Sequence, residues 1–315
     1  MTEKAIRVPE TVKKHMWHKK YINNLDLILM ALPGLVAFIV FAYMPMVGLL
    51  AAFQDFKILD GILGSDWVGV ENFAKLFLGR DFPRALRNTF TISLLKLLVG
   101  FPVPVFFAII LNECRNGLVK KTVQTCSYLP HFFSWIVLSG IVKSVFSATG
   151  PVNVLLSYLG FEQPVLFFGS NSMFIVLIII TDIWKEAGWS SIIYLAAISG
   201  IDTSLYEAAE VDGAGRLRRI WSITLPALLP TIITMLILKL SSVLNVGIDQ
   251  IYSLYNPQVY DVADILDTYL LRMLQTGDYS FGTAVGMFKS VVGMIFVLAG
   301  NKVAKLLTNG EQGII

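Results

Sequence analysis

Six apolar runs, each about as long as a bilayer crossing, constrain this chain more than any other feature. They cover residues 27–53, 89–111, 125–146, 173–197, 228–246 and 281–303. A membrane-spanning helix needs about 20 mainly apolar residues. Within lipid it must also satisfy every backbone polar group internally, which a helix does. The chain is 55% hydrophobic and 15% charged, where a soluble domain averages about 25% charged. The expected fold class is therefore an all-α membrane protein with six transmembrane helices. A net charge of +3 is too small to suggest nucleic acid as a partner.

Orientation follows from where Lys and Arg sit beside the runs. One side holds Lys4, Arg7, Lys13, Lys14, Lys19, Lys20, Arg115, Lys120, Lys121, Arg216, Arg218, Arg219, Lys302 and Lys305. The other holds Lys57, Lys75, Arg80, Arg84, Arg87 and Arg272. The bias predicts cytoplasmic N- and C-termini. It divides the chain into a basic tail over 1–26, a membrane region over 27–305 and a short tail over 306–315. The first tail suits an anionic lipid surface. The first apolar run is too long for a signal-peptide core and lacks a small-residue cleavage site. Cys114 and Cys126 flank a basic cytoplasmic segment and are expected to be reduced.

Several chemistries lack their motifs. There is no G-x-x-x-x-G-K-[ST], no G-x-S-x-G and no H-E-x-x-H. The chain is thus not expected to be an enzyme, to bind ATP through a phosphate loop or to carry a metal or cofactor.

Charge does occur inside the runs. Lys96, Lys185, Lys239 and Lys289 lie well within them, against two acids as deep, Asp182 and Glu186. A lysine at the bilayer centre costs about 2.5–3.5 kcal/mol on insertion scales, so these side chains should face protein or a polar pathway. The stretch TDIWKEAGW, residues 181–189, concentrates the charge, with Asp182 and Lys185 spaced to pair on one helix face. Trp184, Lys185, Glu186 and Trp189 are candidates to line a substrate route, with indole faces for sugar rings. Lys239, Asn245, Asp249 and Lys289 are further candidates. The bland alternative is a local neutralising pair among core tryptophans. The excess of deep positive charge suggests an acidic ligand.

The stretch EAAEVDGAGRLRRIWSITLP, residues 207–226, interrupts the apolar pattern. Good helix formers precede Gly213 and Gly215, which permit a turn. Ser204 or Thr203 can cap the first helix, with Glu207 at capping-box spacing from Ser204. A second short helix is expected over 216–224, with Pro226 and Pro230 breaking or kinking the chain just before the fifth run. The apolar content of this helix–turn–helix suits either a groove on a partner or the lipid surface. The residues alone leave both open.

The spacing E-A-A, three residues, G, nine residues, I-x-L-P resembles the coupling-loop signature of ABC importer permeases. It falls on Glu207, Ala208, Ala209, Gly213, Ile223, Leu225 and Pro226. WVGVENFAKLF resembles the outer segment of sugar-importer permeases, and IDQIYSLYNPQVY and AVGMFKS resemble the oligosaccharide and polysaccharide (LplB-like) branch of that family. That resemblance implies a MetI-like permease fold with a core region of about 85–303 and a coupling loop over 200–226. It implies two copies of a separate ATPase subunit carrying ATP and Mg, with no cofactor on this chain. It also implies a second, related permease, an extracytoplasmic solute-binding protein, an oligosaccharide substrate and a bacterial cytoplasmic membrane. Two other readings stay open: an ABC permease for a non-sugar solute, and an ATP-independent secondary carrier.

Overall fold

The computed structural model describes residues 25–307. The expected basic tail over 1–26 and the short tail over 306–315 fall almost wholly outside the described residues. In chain order the helices used below are α1 (Leu25–Phe53), α2 (Glu71–Leu78), α3 (Asp81–Glu113), α4 (Gly117–Phe132), α5 (Trp135–Val145), α6 (Pro151–Tyr158), α7 (Asn171–Ser199), α8 (Thr203–Val211), α9 (Arg216–Ser241), α10 (Ile248–Leu254), α11 (Leu266–Gln275) and α12 (Tyr279–Leu307). A two-stranded antiparallel ribbon, Gln54–Asp55 against Asp66–Trp67, pairs Gln54 with Trp67.

Among the described residues, α1, α3, α9 and α12 are long and apolar enough to cross a membrane. The pair α4 and α5 makes a fifth crossing if taken as one broken span. The predicted fourth run forms a 29-residue helix, α7. Asp182, Lys185 and Glu186 sit at its middle, so it falls short on charge rather than on length.

Three expectations are corrected. The third run, expected as one helix over 125–146, bends by 111° between α4 and α5. Pro130 sits in a single 3-10 turn over Leu129–Phe132, Phe133 is extended, and Ser134 opens a new helix by accepting from the Val137 N–H at 3.4 Å. The fifth run does not break at its prolines: α9 is continuous from Arg216 to Ser241 and then ends, leaving residues 242–246 outside it. The outer segment DWVGVENFAKLF, residues 66–77, reads from its sequence as one short amphipathic helix at the interface; it begins instead as a strand, and its helix starts only at Glu71, after Gly69 turns with φ +61°.

The continuity of α9 has a local cause that recurs. A π-turn covers Ile220–Thr224, and Pro226 follows two residues later. The same arrangement places Ile39–Tyr43 before Pro45 and Lys96–Gly100 before Pro102. Proline lacks the N–H for an i→i−4 bond, and its ring collides with that carbonyl. Widening the preceding turn moves the carbonyl aside, so three long helices run on through a proline without a break.

Packing is organised along α7. Near its start, Phe174, Leu177 and Ile178 pack with Val142 of α5, Ile251 and Leu254 of α10, and Ile265. Near its end, Tyr194 and Ile198 pack with Val105, Ala108 and Ile109 of α3 and Leu228 of α9. The charged stretch lies between these two apolar clusters. A third cluster joins Leu76, Phe82, Ala85, Leu266, Tyr269 and Val285. The first part of α1, Leu25–Phe38, has no buried residue, as suits a helix whose apolar surface faces lipid.

Candidate functional site

A polar cleft opens where α3, α7 and α9 meet. Lys96, Asp182, Glu186, Ser190, Lys239 and Ser242 line both of its two adjoining lobes. One lobe, of about 280 Å³, continues along Phe101, Tyr194 and Met235. The other reaches Trp135, Asn245, Val246 and Gly247.

Its wall is held by one buried cation. The Lys96 ammonium donates to Asp182 Oδ1 at 2.6 Å, to the Gln250 side-chain oxygen at 2.6 Å and to the Val246 carbonyl at 2.8 Å. Gln250, fully buried, donates in turn to the Ile178 carbonyl at 2.8 Å and to Thr181 Oγ1 at 2.9 Å. Three separate segments are thereby tied at one charged point. Gly247 makes the approach possible, turning the chain with φ +94° beside the Lys96 ammonium.

Asp182 therefore pairs across to Lys96, not with Lys185 three residues on. Lys185 turns toward the bend between α4 and α5. It donates to the carbonyls of His131 at 2.7 Å, Phe133 at 3.0 Å and Pro130 at 3.4 Å, with Glu186 at 3.8 Å. A bend inside an apolar region leaves carbonyls without helical donors, and an ammonium with three protons fits that deficit. Glu186 also meets His131 Nδ1 at 2.9 Å, and the His131 ring stacks on Trp189 at 4.6 Å between centroids. Trp184 lies elsewhere, beside an apolar hollow with Ile141, Val142 and Phe146.

The structure thus brings Glu186, Lys239 and Asn245 into one cleft. It sets Lys185 and Trp189 against the bend behind it. Asp249 is exposed in the first turn of α10. Lys289 is paired with Asp267 at 2.5 Å and does not line the cleft.

The stretch 207–226 forms a compact two-armed projection. Asp202 caps α8 by accepting from the Ser204 N–H at 2.9 Å, displacing the expected Ser204 or Thr203. A carboxylate is the stronger acceptor at a positive helix end, and that N–H holds the Asp202 carboxyl below its usual pKa. Gly213 turns the chain with φ +74°. The arms are joined by Arg219 to Glu210 at 2.9 Å and by Tyr206 to Thr224 at 2.8 Å. Glu207, Ala208, Gly213 and Pro226 are exposed, while Ala209, Ile223 and Leu225 are half-buried. Leu205, Val211, Leu217 and Trp221 present apolar surface around them.

Comparison with known proteins decides what this architecture is. Residues 100–309 match the family described as the binding-protein-dependent transport system inner membrane component. The chain belongs to that family. It is a permease of the inner membrane, of MetI-like fold, and not an ATPase. Among curated proteins it is 45% identical to the polygalacturonan/rhamnogalacturonan transport system permease YteP of Bacillus subtilis, over 94% of this chain and 92% of that one. It is also 45% identical to LplB of the same organism, over 89% and 88%. Among solved structures it superposes with TM-score 0.86 and 40% identity on a chain of a bacterial ABC transporter involved in the import of the acidic polysaccharide alginate. That match covers 93% of the permease and 99% of the other chain.

Sequence reasoning named Lys96 and Asp182 as deep charges but did not place them in a site. Nothing local marks them as partners, since 86 residues separate them. Gln250 and Ser242 were not singled out, because a neutral polar side chain in a connecting stretch or near the end of an apolar run does not stand out as a charge does.

Proposed function

We propose that this permease is one membrane half of an ATP-driven importer of acidic oligosaccharides. The observation that carries the proposal is its 45% identity, over nearly the full length of both chains, to a permease described for polygalacturonan and rhamnogalacturonan. The alginate transporter provides a second acidic-polysaccharide relative, and its structure was also determined with a pentasaccharide-bound periplasmic protein.

In this reading the chain crosses the membrane six times, with both termini cytoplasmic. The bent pair α4–α5 serves as one crossing and α7 as another. A second permease completes the pathway, two ATPase subunits supply the energy, and an extracytoplasmic binding protein delivers the sugar. The projection over 207–226 seats in the ATPase. Glu207, Ala208, Ala209, Gly213, Ile223, Leu225 and Pro226 form that joint, and the rigid path from the projection into continuous α9 carries the motion to the cleft. Glu186, Lys239 and Asn245 face the passing sugar. Lys185 and Trp189 brace the bend behind that cleft, while Trp184, Asp249 and Lys289 lie away from it.

The test is uptake of labelled oligogalacturonate by cells with and without this permease. Its removal should end that uptake and leave glucose uptake unchanged. Undiminished oligogalacturonate uptake without it would overturn the proposal.

A further inference from the structure

Four lysines lie deep in the apolar runs, and the structure accounts for three. Lys96 is neutralised by Asp182 at 2.6 Å. Lys289 is neutralised by Asp267 at 2.5 Å. Lys185 is engaged by three backbone carbonyls, with Glu186 at 3.8 Å. Lys239 differs. It sits in the last turn of α9 and lines both lobes of the cleft. Its side chain is exposed, and among the described residues no carboxylate lies within 4.0 Å of its ammonium. The two acids that share the cleft are already committed, Asp182 to Lys96 and Glu186 to His131 and Lys185.

An intramembrane cation without an internal partner marks a ligand pathway. We propose that Lys239 is the specificity-determining residue of the cleft, whose ammonium takes the carboxylate of a uronic acid unit in transit. This rests on the acidic-oligosaccharide reading above and gives it a chemical contact. The surrounding groups suit a sugar acid rather than a bare anion. Asn245 and Ser190 add polar atoms on the same lining, and Tyr194 and Phe101 add aromatic surface. The neighbouring carboxylates of Asp182 and Glu186 repel free anions, so passage requires a ligand that also makes neutral sugar contacts. A single charge-assisted contact is strong enough to discriminate and weak enough to release.

The experiment uses the assembled transporter in proteoliposomes, with Lys239 kept or replaced by Arg, Gln or Glu. Two probes are compared: an oligogalacturonate and its fully methyl-esterified, neutral counterpart of equal length. Lys239→Gln should lower uptake of the acidic probe about tenfold, the worth of one charge-assisted hydrogen bond, and leave the neutral probe within about twofold. Lys239→Arg should restore most of the acidic uptake, and Lys239→Glu should lower it below Gln. All four complexes should purify with the second permease and the ATPase in equal yield. Equal losses on both probes, or a complex that fails to assemble, would overturn the proposal and assign the ammonium to pairing with the second permease. If the neutral probe is not carried even by the unsubstituted complex, the order Lys, Arg, Gln, Glu on the acidic probe in equally assembled complexes decides. Any other order refutes the proposal. Failure of the unsubstituted complex to carry the acidic probe would instead refute the underlying functional reading.

Discussion

Lys185 and Lys96 each bury an ammonium where lipid or core would otherwise reject it, and each does so by a different chemistry. Lys185 uses its charge to cap carbonyls left open by a bend, so its removal leaves acceptors unsatisfied. Replacing it with Met should lower the stability of the detergent-solubilised permease by about 1–3 kcal/mol, the cost of such orphaned groups. A thermal melt of the purified protein reads this, and an unchanged midpoint would contradict it. Lys96 and Asp182 form a buried pair, and breaking such a pair from one side costs about 3–5 kcal/mol. Lys96→Met alone should therefore destabilise more than Lys96→Met combined with Asp182→Leu. A double-mutant cycle by thermal unfolding measures the difference, and strictly additive losses would refute the coupling.

The individual lysines were visible in the sequence as anomalies, because charge inside an apolar run needs an explanation. Their partners were not visible. Asp182 lies one helical turn from Lys185, and local spacing favours that pair. Tertiary contact overrides it because the carbonyls of the bend make a better partner for Lys185. The bend itself was missed for a related reason: Pro130 and Ser134 are ordinary at a helix start, and the apolar run continues across them.

Helix crossings in this permease depend on small residues, as in membranes generally. The sharpest case is Gly188 of α7 against α4. A methyl group there would stand 2.2 Å from the Ser127 carbonyl oxygen. Gly188→Ala should force the two helices apart and destabilise the permease by about 1–3 kcal/mol, the range of overpacked cores. Crosslinking yield between cysteines placed on α4 and α7 would fall with it, and an unchanged yield and melt would show that the crossing adapts freely. The projection over 207–226 depends on a different glycine property. Gly213 adopts φ +74° with open space around it, so a side chain there meets backbone strain and no clash. Gly213→Ala should weaken coupling moderately, whereas Gly213→Pro should abolish it, read as uptake per ATP hydrolysed. Equal coupling in both would contradict the turn's role.

The element order was largely legible, since hydrophobic run length is set by bilayer thickness. All six runs correspond to helical segments, although α4–α5 is bent and α7 carries charge at its centre. The prolines misled, because their effect depends on whether the preceding turn can widen. At Pro45, Pro102 and Pro226 it does. A window of composition does not hold that information.

Among the described residues, the permease packs apolar helices around one polar cleft, with an exposed two-armed projection joined to the helix that lines that cleft. The second arm of the projection is the start of α9, and α9 carries Lys239 near its far end. In the proposed reading, a push on that arm would reach the cleft along one continuous helix. The cleft lies between α3, α7 and α9, with Trp135 of α5 and residues 245–247 closing one lobe.

The most direct test is ATP-driven uptake of labelled oligogalacturonate into proteoliposomes holding this permease with its second permease, ATPase and binding protein. The account predicts accumulation that requires ATP on the ATPase side and binding protein on the opposite side, and that Glu207→Lys ends while the complex stays assembled. Equal uptake by this permease alone, without ATPase or ATP, would contradict it.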